Sequence, residues 1–157
     1  MQKVAIIIVN WNGHKLLNDC FYAVYSQTYQ NFDVYFVDNG SKDNSVSFVL
    51  ENFPKTKIIK LKYNTGFAKG NNEGIKEAFK DKNINYIVCL NNDTIVEKNW
   101  LEELIKTAEG DEQIGAVSSK AYFNDNVTIQ NAGLEFYKTP NKKGGAPQAD
   151  PTRTPPA

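Results

Sequence analysis

Apolar runs alternate with helix-period stretches along this chain, and short polar connections join them. That order predicts an α/β fold: a mostly parallel open sheet with helices on both faces. Two further observations support it. The runs at 4–9 and 86–90 are almost continuously apolar, as strands covered on both faces are. Asn, Asp and Gly cluster just after most of the runs, where a chain turns.

The first strand is expected at 4–9, and Asn10, Trp11, Asn12 and Gly13 break it. Leu16, Leu17, Cys20, Phe21 and Val24 then recur at helical spacing. A second strand is expected at 33–37, followed by a turn at 38–41. A helix follows at 45–52 with Ser45 near its N-cap. A third strand is expected at 57–61, a break at 64–66 and a helix at 68–80. The fourth strand spans 86–90 and runs into Asn91, Asn92 and Asp93. A helix at 100–109 carries Leu101, Leu104, Ile105 and Ala108 on one face. A fifth strand is expected at 114–118 and shorter edge strands within 127–137.

Domain organisation follows from length and composition. At 157 residues the chain fits one domain and a tail. A chain of this size buries about 70% of its unfolded surface, enough for a core without staples. Residues 1–138 are expected to form the domain. Five of the six prolines fall in the tail at 139–157, together with Gly144 and Gly145. That composition predicts disorder there.

Charge and cysteine usage exclude several function classes. Lys plus Arg is 18 and Asp plus Glu is 18, so no net basic field grips nucleic acid. No apolar run approaches the roughly 18 residues of a membrane span, and the start lacks a secretory pattern. The expected location is the cytoplasm. Cys20 and Cys89 lack C-x-x-C spacing, sit in apolar runs and are expected as buried free thiols. His14 is the single histidine, which supplies a zinc site or a catalytic triad poorly.

In open parallel sheets, ligands bind beyond the carboxyl ends of the strands. Asn10 and Asn12 follow the first strand, Asp38 the second, Asn64 and Gly66 the third, and Asn91, Asn92 and Asp93 the fourth. Any one of these is ordinarily a turn residue. Four such groups at successive carboxyl ends read as a pocket for a polar ligand. The G-x-G-x-x-G and G-x-x-x-x-G-K-[ST] patterns are both missing. Asp38 could accept from a ribose hydroxyl or a base N–H. Asp93 suits a hard cation shared with substrate phosphates, since magnesium takes only one or two protein carboxylates.

Gly66, Gly70 and Gly74 recur every four residues. Three glycines cost a helix about 2–3 kcal/mol relative to alanine, so something compensates. Close packing on the sheet is one reading. The other brings Lys69 or Asn71 near an anion at the helix start.

Taken together, these motifs resemble the nucleotide-binding half of glycosyltransferase family 2, which has the GT-A fold. The resemblance runs through residues 4–13, 37–43, 64–74 and 90–94 and covers about residues 3 to 120. Asn10-Trp-Asn and Asn91-Asn-Asp resemble the rhamnosyltransferase-like branch. The resemblance implies that Val9 to Asn12 line the base and ribose, that Asp38 hydrogen-bonds the base, and that 64–74 completes the nucleotide pocket. It also implies that Asp93 binds Mg²⁺ or Mn²⁺ and hence the diphosphate. Asn91 stands where the family's D-x-D motif has its first Asp, so that position adds no negative charge. The implied donor is a UDP- or dTDP-linked sugar, and the acceptor a saccharide or lipid-linked molecule. Such pathways allow peripheral association with the inner face of the membrane, as in bacterial surface polysaccharide synthesis. The family's catalytic base lies in a second, acceptor-binding half. Asp125 and Glu135 are the nearest carboxylates and match no motif, so no base is assigned. The leading expectation is an inverting glycosyltransferase. The alternatives are a truncated fragment that binds nucleotide sugar without turnover, and a Rossmann-like dinucleotide-binding oxidoreductase.

Overall fold

A computed structural model of the chain describes residues 1–123, 125 and 127–131. It divides into two units, Met1–Val117 and Ser118–Ala157. Strands β1 (Lys3–Asn10), β2 (Phe32–Asp38), β3 (Lys57–Lys60) and β4 (Ile84–Asn91) alternate in the first unit with α1 (His14–Tyr25), α2 (Ser45–Asn52), α3 (Phe67–Ala78) and α4 (Trp100–Ala108). The four strands are all parallel, in the order β3-β2-β1-β4. This is the expected open α/β sheet.

The alternation of side chains across each strand sends two apolar sets to opposite faces. Val4, Ile6 and Ile8 of β1 join Val34, Phe36 and Leu90 on one face. Leu17, Phe21 and Val24 of α1, Val49 of α2, and Leu101 and Ile105 of α4 cover that face. Ala5, Ile7, Tyr35 and Val37 form the other face, covered by Ala78 and Ile75 of α3. Helices on both faces are therefore observed.

The glycine spacing resolves into two different causes. Gly70 and Gly74 face the sheet: a Cβ on Gly70 would lie 2.8 Å from Val9 Cγ1, and one on Gly74 would lie 2.5 Å from Ile7 Cγ2. Close helix–sheet packing explains both. Gly66 precedes the helix in open space, with φ +86° that a side chain rarely adopts.

Two expectations are corrected. Residues 114–118 form no strand. Gly115 and Ala116 supply little apolar surface to bury, and Ile114 stays exposed. Cys89 is exposed, whereas Cys20 is buried as expected. Register pairs Cys89 with Ile7 and so puts it on the α3 side of the sheet, but α3 lies mainly over β1 and β2 and only partly covers β4.

In the second unit, β5 (Ala121–Tyr122) pairs antiparallel with β6 (Ile129–Asn131). The rest of the expected 127–137 edge, from 132 on, and the expected tail at 139–157 lie outside the described residues.

An ion network joins the amino ends of the strands. Lys3 Nζ is 2.9 Å from both Asp33 Oδ2 and Asp81 Oδ2, and Lys57 Nζ is also 2.9 Å from Asp33 Oδ2. The Lys3 ammonium, helped by the Asn83 N–H, holds the Asp81 carboxyl down to about 2. Partial burial opposes the same effect at Asp33, but hydrogen bonds from Lys3 and Lys57 still lower it.

Two predictions follow from this packing. Folded pKa values below the unfolded value of about 4 stabilise above that pH and lose the contribution as pH falls toward about 2. Melting temperature should therefore drop between pH ~5 and ~2, and less steeply in Asp81→Asn; identical profiles would contradict the network. In Gly74→Ala, helix propensity gains about 1 kcal/mol while overpacking costs about 1–3 kcal/mol. Ile7 and Val37 are both fully buried and sit 2.5 and 2.9 Å from the new methyl, so overpacking should win. The urea midpoint should fall with its slope unchanged, and a raised midpoint would refute the packing account.

Candidate functional site

Parallel register brings the predicted strand-end residues together. Asn10 pairs with Asp38 across β1 and β2, and Val9 pairs with Asn91 across β1 and β4. The polar groups after β1, β2 and β4 thus share one edge of the sheet.

Asn10 is only 1% exposed, so its side chain does not face solvent. Its Oδ1 accepts from Asn92 Nδ2 at 2.7 Å, and its Nδ2 donates to Ser41 Oγ at 3.3 Å. It joins the loops after three strands. The neighbouring Gly13 leaves room for that bond, because a Cβ there would lie 2.4 Å from both Asn10 Oδ1 and Asn92 Nδ2.

Asn12 adopts φ +52°, a left-handed conformation that Asn tolerates better than most residues. Its N–H donates to Ser41 Oγ at 2.9 Å, and its Oδ1 accepts from the Lys42 N–H at 2.8 Å. The loop after β1 is in this way fastened to the loop after β2. Trp11, between two fastened residues, is 57% exposed.

Asp38 is 5% exposed, and its Oδ1 accepts from the Ser41 N–H at 3.3 Å. Asn64 Oδ1 accepts from the Gly66 N–H at 2.8 Å. Lys69, Asn91 and Asp93 are exposed, while Val9 and Asn92 are half-buried. Asn71 is buried and donates to the Phe67 carbonyl at 3.0 Å, a bond within its own helix. Of the two residues considered for an anion at the start of α3, Lys69 alone is therefore open to solvent.

Three residues of the 38–43 motif received no role from the sequence. Asn39 is buried against the loop at 64–66. Ser41 receives both Asn10 and Asn12. Asp43 accepts from the His14 N–H at 3.0 Å and the Ser45 N–H at 3.1 Å, so one carboxylate meets the starts of α1 and α2. Partial burial works to raise its carboxyl, but the Ser45 hydroxyl, together with the His14 and Ser45 N–H groups, holds it below the ordinary value. Short polar side chains in a turn motif were the available signal, but only contacts assign their partners.

The residues at the end of β4 fit a divalent ion shared with a ligand rather than one caged by protein. Asp93 supplies one exposed carboxylate, and Asn91 and Asn92 flank it with neutral amides. No three His, Cys, Asp or Glu side chains come together among the described residues. Magnesium and manganese at phosphate sites accept such a sparse donor set.

In the second unit, Asp125 accepts from the Val127 and Thr128 N–H groups and the Thr128 hydroxyl. These bonds lower its carboxyl and close a tight turn, which disfavours proton uptake. Glu135 lies outside the described residues.

Comparison with known proteins bears directly on this edge. The family model described as glycosyl transferase family 2 matches residues 5–155. The chain belongs to glycosyltransferase family 2. An uncharacterised glycosyltransferase of Haemophilus influenzae is 29% identical over 120 residues, which cover 74% of this chain and 36% of that protein. Glycosyltransferase GlyG of Streptococcus pneumoniae serotype 4 is 29% identical over 142 residues, 88% of this chain and 44% of that protein. A poly-β-1,6-N-acetyl-D-glucosamine synthase of Staphylococcus epidermidis is 25% identical over 132 residues, 82% of this chain and 31% of that protein. The family 2 chain thus spans well under half the length of these relatives.

Solved structures agree on the GT-A fold. S. aureus TarS 1-349 in complex with UDP aligns with TM-score 0.60 at 20% identity, over 76% of this chain and 39% of that one. The mannosyltransferase PcManGT from Pyrobaculum calidifontis, in complex with GDP-Man and Mn²⁺, aligns with TM-score 0.61 at 20% identity, over 72% and 34%. Family 2 membership replaces the dinucleotide-binding oxidoreductase alternative. Among the described residues of this family 2 chain, no helix is long and apolar enough to cross a membrane.

The two thiols of this family 2 chain provide a direct check on the site's underside. Cys20, on α1, points its Sγ at the Asn91 carbonyl 3.7 Å away. Burial, with a contribution from the Asp93 charge, pushes its thiol up to about 12. Thiolate, not thiol, reacts with labelling reagents. A disulfide reagent at pH ~8 should therefore modify exposed Cys89 and reach Cys20 only on unfolding. Equal labelling of both cysteines in the native chain would contradict the packing beneath the 91–93 turn.

Proposed function

We propose that this chain is the donor-binding part of a glycosyltransferase that takes a sugar from a nucleoside diphosphate. One observation carries the reading: Asp38 and the 91–93 turn share a hydrogen-bonded polar edge at the carboxyl ends of β1, β2 and β4 in a family 2 chain. Asp38 accepts from the base or ribose. Asn12, Val9 and the loop at 64–66 line the nucleoside, and Lys69 offers a positive charge near the phosphates. Asp93, with Asn91 beside it, would hold Mg²⁺ or Mn²⁺. When bound, that ion supplies Lewis-acid stabilisation of charge on the leaving diphosphate.

The reaction is read as inverting. An acceptor hydroxyl, on a saccharide or a lipid-linked molecule, attacks the anomeric carbon from the face opposite the nucleotide. The bond to the diphosphate breaks as the new glycosidic bond forms, and the hydroxyl proton passes to a base outside the residues assigned here. UDP-N-acetylglucosamine is one donor to test, since one relative is a poly-β-1,6-N-acetyl-D-glucosamine synthase and S. aureus TarS 1-349 is solved in complex with UDP-GlcNAc. A dTDP-linked rhamnose is another, on the flavour of the Asn10-Trp-Asn and Asn91-Asn-Asp motifs. The proposed setting is the cytoplasm, at the inner face of the membrane, in polysaccharide synthesis.

A second reading, nucleotide-sugar binding without turnover, is favoured by the engagement of Asp125 in its own turn. Product assays with several donors distinguish the two, because any sugar transfer by these 157 residues removes the second. For the donor site itself, calorimetry with UDP, dTDP or GDP should show Mn²⁺-dependent binding that Asp93→Ala loses. Equal affinity in the variant would refute the role of Asp93.

A further inference from the structure

Asn39 stands one residue beyond β2 and is 2% exposed. Both ends of its side chain are directed at three consecutive residues of a different loop. Its Oδ1 accepts from the Thr65 N–H at 2.8 Å and from the Thr65 hydroxyl at 3.1 Å. Its Nδ2 donates to Asn64 Oδ1 and to the Gly66 carbonyl, each at 3.1 Å. The amide orientation is forced, because a backbone N–H only donates and a carbonyl only accepts. Its backbone N–H donates to the Asn10 carbonyl at 2.8 Å, which anchors it to β1. On the other side lies α3, since a Cβ on Gly70 would sit 3.4 Å from Asn39 Nδ2.

Besides Asn39, the loop at 64–66 is held by the Gly66 N–H on Asn64 Oδ1, by the Gly70 N–H on the Gly66 carbonyl, and at its entry by Gly40 against the Tyr63 and Asn64 backbone. Asn64, Gly66 and Phe67 are exposed, and Gly66 carries a positive φ with open space where a side chain would stand. Of these contacts, only those of the Asn39 carboxamide tie all three loop residues to Asp38, its neighbour in the chain.

We propose that Asn39 is a positioning residue of the donor site, which pre-orders the loop at 64–66 so that nucleotide binding does not have to. The inference rests on the donor-site reading above. Ordering a loop on binding reduces affinity, so a pre-ordered loop binds more tightly. A purely structural Asn39 would affect folding and leave the affinity of folded molecules unchanged.

Asn39→Asp tests this with a side chain of the same shape. The carboxylate keeps an acceptor for Thr65 but turns its second oxygen toward the Gly66 carbonyl, which cannot donate. Amide hydrogens at 64–67 should exchange faster than in wild type, without any ligand present. UDP, dTDP or GDP with Mn²⁺, whichever binds wild type, should bind about tenfold more weakly well below the melting temperature, the effect of one or two lost hydrogen bonds. Asn39→Ala introduces no buried charge and should act in the same direction if the Asp variant folds poorly. A lowered melting temperature with unchanged affinity would overturn the inference, and so would unchanged exchange at 64–67. Wild type that binds none of these nucleotides would overturn the donor-site reading as well, so the two failures are distinguishable.

Discussion

Buried carboxamides hold the carboxyl edge of this sheet together, and the geometry of the candidate site follows from them. Asn10 bridges Asn92, at the end of β4, to Ser41, beyond the end of β2. Asn39 fastens the loop at 64–66 to the end of β2. Such groups are costly to bury unpaired and valuable when fully paired. Among the described residues no buried side-chain nitrogen or oxygen lacks a partner. The edge is therefore a connected polar network set on an apolar base, with Ile8, Phe36, Val37 and Leu90 directly beneath it.

Division of labour within that network explains why so many Asn residues cluster there. A carboxamide carries both donors and acceptors, so it can join two backbone or side-chain groups of opposite character. It does so without charge, and that matters beside Asp38 and Asp93. Where a charge does appear in a structural role, it is compensated locally. Asp43 meets the N–H groups at two helix starts, and the Asp81–Lys3–Asp33–Lys57 network lies at the amino ends of the strands. The exposed Asp93 carboxylate is the contrast, and its openness makes it suited to an ion shared with a ligand.

A donor edge can be built from one half of a sheet, but an acceptor site and a base need further groups. Asp125 is engaged in a hairpin turn, and the chain covers between 31% and 44% of its relatives' lengths. Choice of donor and acceptor depends on side chains outside the strand-end motifs.

Periodicity and punctuation were enough to locate all four sheet strands and all four helices of the first unit, because each buries a regular apolar stripe. The order of polar groups at strand ends was legible for the same reason: parallel strands all present their carboxyl ends to one edge. The expected strand at 114–118 failed where apolar area was too small to hold an edge, and Cys89 is exposed because α3 only partly covers its side of β4. Only the tertiary structure decided which polar residues are open to solvent and which face each other. Asn10, Asn39 and Asn12 are equivalent in sequence as turn-forming carboxamides. Their hydrogen-bond partners lie 25 to 82 residues away or across a neighbouring loop, and no local pattern encodes such pairings.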